Sequence, residues 1–240
     1  MSLLDSLHIP VLDKQRVPVK TLIEQLAPTS DNKRLIESHV SSIHLVSLLN
    51  EQTIHFRAYK DNEYSYQAIY VLQITLKRSD QLTDLAIQLH SAFPEPTILL
   101  MNFMDREWIS VAPKRISKLD NTKTVLDDVV VQEIDLDKYK YLDLSHLSAT
   151  DLRQYYLKIV QIVYKLSVLS LINIYPTVDL NYKSIIKEYQ QVQANVNNLK
   201  EQYNKASMKS DKMEIDDKIY DEEQKQKQLI KKLKGDITNG

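Results

Sequence analysis

Apolar positions along residues 1–176 change period several times, and each change marks an element. A short helix is predicted over 19–26, with Pro18 at its start, where a missing N–H leaves no helical bond unmade. Ser30 or Asp31 can cap a second helix reaching Val40. Residues 43–49 and 53–59 then alternate as two strands that turn at 50–52. The segment 64–77, YSYQAIYVLQITLK, is aromatic and β-branched, and both of its faces are apolar, as in a central strand covered on both sides. Asp80 is placed to cap a helix through Ala92, with Leu82, Leu85, Ala86 and Leu89 on one face, before Pro94 and Pro96 stop it. A hairpin follows over 97–103 and 107–111, then a valine-rich strand over 127–136 and a long amphipathic helix over 151–171. Strands mixed with helices and hairpins predict an α+β fold, a mixed sheet with flanking helices.

Beyond Pro176 the pattern changes to a helical tail rich in Lys, Gln, Asn, Asp and Glu. Ile185, Tyr189, Val192, Val196, Leu199, Tyr203 and Ala206 recur at spacings of 4, 3, 4, 3, 4 and 3, the seam of a coiled coil. The seam resumes at Ile215 and Ile219, passes polar Glu222 and Gln226, and ends at Leu229 and Leu233. The step from Ala206 to Ile215 breaks the heptad phase, so the tail is either one helix with a register slip or a hairpin turning near 207–211. These readings give two domains: 1–176, α+β, and 177–240, a coiled-coil tail. The seam is expected to be buried, either within the chain or against a partner.

Composition narrows the chemistry. Of 240 residues none is Cys, which excludes disulfides, thiolate zinc sites and thiol catalysis. The only two glycines, Gly235 and Gly240, lie in the tail, so residues 1–234 cannot supply a Gly-rich phosphate loop. The formal charge of -1 provides no global basic field. The N-terminus lacks a secretory pattern, and the apolar run over 159–174 is broken by Gln161, Lys165 and Asn173, so a cytoplasmic protein with no membrane span is expected. The six histidines form no HExxH or HxH pair, and no cofactor or metal site is expected; His44 and His55 would be a cross-strand surface pair. No serine sits in a Gly-flanked elbow. The carboxylates Asp127, Asp128, Asp135 and Asp137 flank a strand, and with Lys138 or Lys140 they could serve a metal-dependent nuclease, although the acid-x-Lys register is off by one. Lys114, Arg115 and Lys118 near Trp108 form a basic stretch, which reads as a solvated loop balanced by nearby acids or as a weak phosphate contact.

The ordered run SSIHLVSLLNEQTIHF, YSYQAIYVLQITLK, PEPTILLMNF, ISVAPK, LRQYYLKIVQIVYKL and SDKMEIDDKIYDEEQKQKQLIKKL resembles an uncharacterised prokaryotic family known only as a domain of unknown function. The resemblance runs from about Val11 to Leu233. It implies an α+β front half, a coiled-coil C-terminus and genes beside helicases and DNA methyltransferases of restriction-like defence islands. Where that family usually has an acid at the start of the central strand this chain has Gln67, and there are no established catalytic residues to carry over. The expected function is a non-enzymatic accessory or docking subunit of such an anti-phage system, its tail seam binding a protein partner such as the helicase or methyltransferase. A nuclease subunit of the same system and a general coiled-coil scaffold are the alternatives, and a homodimer through the seam is a further arrangement.

Overall fold

A computed structural model describes residues 2–20, 29–120 and 123–235. The helix expected over 19–26 falls mostly outside them. By contact density the chain divides into Met1–Val163 and Tyr164–Gly240.

The first unit is built on a six-stranded mixed sheet. Its strands are β1 (Gln15–Val17), β2 (Val40–Leu49), β5 (Ile69–Leu76), β6 (Thr97–Phe103), β7 (Arg106–Val111) and β10 (Val130–Ile134), in the order β1-β2-β5-β6-β7-β10. Every pairing is antiparallel except β5 with β6, whose parallel register is bridged by a crossover helix, Leu82–Ser91. Two ribbons, β3 (Tyr59–Lys60) with β4 (Ser65–Tyr66) and β8 (Lys114–Ile116) with β9 (Thr124–Leu126), lie apart from it. A short helix, α1 (Leu3–Ser6), precedes the sheet. One sheet face carries Ile43, Leu72, Ile74, Leu99, Met101 and Trp108, packed with Ile36 of α2 (Ser30–His39) and Leu85, Ala86 and Leu89 of the crossover helix. The alternate positions Ile69, Val71, Ile98, Leu100 and Ile109 are also buried, so β5 is the two-sided central strand its sequence predicts.

Local chemistry explains where the elements differ from expectation. Residues 53–58 are not a strand, and β3 begins only at Tyr59. Asn50 accepts hydrogen bonds from the backbone of Gln52 and Thr53, while Thr53 Oγ1 accepts one from the Asn50 N–H, a capping box that starts the short helix α3 (Glu51–Ile54). His55 ends that turn in the left-handed region at φ 61, and His44 lies opposite Arg16 and Gln73, so the two histidines are not a cross-strand pair. Thr29, rather than Ser30 or Asp31, caps α2. Asp80 does not cap the crossover helix α4 (Leu82–Ser91), because its carboxylate is held by the Arg78 guanidinium at 2.5 and 2.6 Å. Without glycine before position 235, left-handed positions fall to His8, His55, Gln81, Met104 and Asn173. Each costs on the order of 1–2 kcal/mol.

The helix α5 (Leu152–Ile172) runs across the division between the units. By length and composition it could cross a membrane, yet Leu152, Tyr155, Tyr156, Ile159 and Val163 are buried in protein, as in a core helix. The compositional change near Pro176 falls in the connection that follows.

The second unit contains α6 (Tyr182–Lys205) and α7 (Lys209–Lys234). The break in heptad phase is a turn: Ala206 and Met208 are extended, and the two helices pack side by side as an antiparallel hairpin. Gly235 ends α7 at φ 81, where a Cβ would stand 2.7 Å from Val178 Cγ2.

Candidate functional site

Polar groups buried in the first unit are the natural place to look for chemistry, because a core tolerates them only with partners. At the C-terminal end of α4, the Lys114 side chain enters the core with only 2% of its surface exposed. Its Nζ donates to the carbonyls of His90, Phe93 and Glu95 at 2.6, 2.6 and 2.7 Å. The three donors of an ammonium are thereby matched by three acceptors, two of them just beyond the helix end, where the macrodipole favours a cation. The residue expected to be part of a solvated basic loop is thus an internal clamp: it opens β8 directly after the Ala112–Pro113 link from β7, with its side chain turned inward. Arg115 of the same stretch pairs with Asp127 at 3.2 Å, and Trp108 faces the core.

Beside the clamp, His90 Nδ1 lies 2.5 Å from Thr97 Oγ1 and its Nε2 3.0 Å from Ser110 Oγ. A serine, a histidine and a third oxygen in line have the form of an activated nucleophile. All three side chains are fully buried, however, so no substrate carbonyl can reach Ser110 Oγ. The neutral ring donates through one nitrogen and accepts through the other, which ties α4 to β6 and β7. Tyr156 completes the network: its hydroxyl donates to Thr97 O at 2.8 Å and accepts from Ala112 N at 2.9 Å. Sequence reasoning missed these residues by searching for catalytic motifs. The available signal was a single polar residue inside each apolar run: His90 after Leu89, Thr97 before ILLM, and Ser110 within WISVA.

Burial shifts both bases in one direction. The His90 imidazole is held well below its usual value, chiefly by desolvation and secondarily by Lys114. Desolvation pushes Lys114 down to about 7, with Glu95 pulling the other way. The unfolded chain therefore binds more protons than the folded one below about pH 6.5 at His90, and between about 7 and 10.5 at Lys114. Tyr66 and Tyr155, raised by burial to about 12, favour the folded state least once the unfolded tyrosines ionise above about pH 10. The melting temperature should rise from pH 5 to about 10 and then fall. Calorimetry across that range checks it, and Lys114→Met should flatten the segment above pH 7.

The carboxylates weighed for a nuclease do not converge. Asp127 is paired with Arg115, Asp135 with Lys138 at 2.8 Å, and Lys140 lies over the Tyr141 ring. Among the described residues no three His, Asp or Glu side chains stand close enough to hold a metal ion. A groove between α2 and α4, lined by Arg34, Ser38, His39, Arg78 and Asp84, is of mixed charge. There the buried His39 Nε2 lies 3.5 Å from Asp80 Oδ1.

The structure places the tail seam inside the hairpin. Tyr189, Val192, Val196, Ile219, Leu229 and Leu233 are buried, and Ile185, Leu199, Tyr203 and Ile215 are half-buried. Where the α7 seam turns polar, Asn195 Nδ2 donates to Glu222 at 3.2 Å and Gln226 donates to Gln193. Such a layer fixes the register of the two helices. The opposite face of α7 carries Met213, Asp217, Tyr220, Lys227, Lys231 and Lys234, all exposed, with half-buried Gln224 between Tyr220 and Lys227.

No curated protein and no solved structure matches the chain. A family model described as a domain of unknown function, DUF4391, matches residues 11–229. That match takes in the sheet, the clamp and nearly all of the hairpin, and the chain belongs to this family.

Proposed function

We propose that this chain is a non-enzymatic docking subunit, acting in the cytoplasm with the helicase or DNA methyltransferase of a restriction-like anti-phage system. The system is suggested by the family resemblance. The docking role rests on one observation, the outer face of α7. Met213 and Tyr220 lie two turns apart on that face and are 64% and 63% exposed. The seam residues are occupied with one another within the chain, so docking is assigned to this outer face rather than to the seam. Exposed aromatic and Met side chains are common anchors of protein interfaces.

The test is affinity purification of the tagged full chain from its native host. A helicase or a DNA methyltransferase should be recovered with it, and the double variant Met213→Lys/Tyr220→Lys should recover at least about ten-fold less, a loss equivalent to about 1.4 kcal/mol. Recovery of neither class, or equal recovery by the variant, contradicts the proposal.

A further inference from the structure

Charge on α7 is sharply segregated. Residues 211–223 hold seven acids against two lysines, whereas residues 224–235 hold five lysines and no acid. In the basic half, Lys227, Lys231 and Lys234 are exposed and follow one another at spacings of 4 and 3, so they form a single stripe. At 1.5 Å per residue the stripe spans about 10 Å of helix. The antiparallel partner adds Lys187, also exposed, at the same end of the hairpin. Lys187, Lys231 and Lys234 have no ion pair among the described residues, and Lys227 stands one turn after Glu223, in the i, i+4 order that supports a helix.

Helix stability accounts for only part of this. Lysines in the last turn of α7 complement its macrodipole, but Lys227 lies a turn earlier. In α6, Lys187 stands in the second turn, near the positive end of that helix's dipole. A basic end assembled from two helices, against the dipole of one of them, fits an external polyanion.

We infer that the lysine end of the hairpin binds the phosphate backbone of a nucleic-acid duplex without reading its sequence. Duplex DNA presents about one charge per 3.4 Å along each strand, so a stripe of this length faces several phosphates. Lysine meets a phosphate as a flexible point charge and needs no fixed bidentate geometry. Gln224 and Gln228 border the stripe and are further donors suited to phosphate oxygens. The overall charge of -1 hides the site, because the acidic half of the same helix cancels it. This inference stands apart from protein docking by Met213 and Tyr220 and does not depend on it.

The experiment is fluorescence anisotropy of the full chain with a labelled random-sequence DNA duplex, from 50 to 200 mM salt. Binding should weaken with salt and should not distinguish one duplex sequence from another. Lys227→Gln/Lys231→Gln/Lys234→Gln keeps good helix formers at exposed positions. It should weaken binding about ten-fold or more at the low-salt end and reduce the slope of log affinity against log salt by about 2.7. Removing three charges at the turn instead, Lys205→Gln/Lys209→Gln/Lys212→Gln, should leave the slope nearly unchanged. The inference is overturned by no binding at 50 mM salt, by equal effects of the two triple variants, or by lysine-dependent binding to phosphatidylserine vesicles without binding to the duplex.

Discussion

Lys114→Ala is expected to destabilise the first unit by about 3–5 kcal/mol, the range seen when one side of a buried polar pairing is removed. Three carbonyls, those of His90, Phe93 and Glu95, lose their donor at once. Each buried acceptor left unpaired costs about 1–3 kcal/mol, and the vacated side-chain volume adds a cavity. Lys114→Met keeps most of the stem and loses only the donors, so it should cost less than the alanine variant. The one tryptophan, Trp108, lies in the core of this unit, which makes its fluorescence a direct report of unfolding there. A denaturant midpoint unchanged in Lys114→Ala would mean that the ammonium is not the clamp described.

Val196→Asp is the corresponding change in the tail. Val196 is 2% exposed in the hairpin seam, and a carboxylate there has no cationic partner within the seam. The expected cost is again about 3–5 kcal/mol, enough to open a two-helix hairpin. Circular dichroism should show loss of helix, while the Trp108 transition keeps its midpoint. Leu199→Asp, at a half-buried site, should cost less. Equal and small effects of both substitutions would mean that the seam is solvated.

Legibility in the sequence followed the range of the interactions. Strand β5, helix α5 and the β6–β7 hairpin were readable because period-2 and period-3.6 patterns survive over many residues. The capping box at Asn50 and Thr53 is local too, but alternation across residues 53–59 suggests a strand, while three hydrogen bonds to two side chains decide for a helical turn. The clamp was hidden for a different reason. Lys114 sits among Arg115, Lys118 and Lys123, so its neighbours in sequence argue for solvent. Its acceptors come from residues 90–95, and only the folded topology brings them together. The heptad seam told that Val192 and Val196 are buried but not by what, because a phase break with neither Gly nor Pro is compatible with a slip or a turn. The basic end of the hairpin was invisible to a whole-chain charge count for the same reason of scale.

Both proposals for the outer face of α7 require the tail to close on itself. The chain has no cysteine, so two can be introduced as unique labelling sites at the exposed positions Gln190 and Gln228, and the distance between the spin labels measured by pulsed electron paramagnetic resonance. In an antiparallel hairpin with helix axes 8–10 Å apart the label separation should be about 20 Å, and it should persist when labelled protein is diluted with unlabelled chain. A continuous helix would separate the same positions by about 57 Å. That longer distance, or a short one that vanishes on dilution because it arises between two copies, would contradict the closed hairpin.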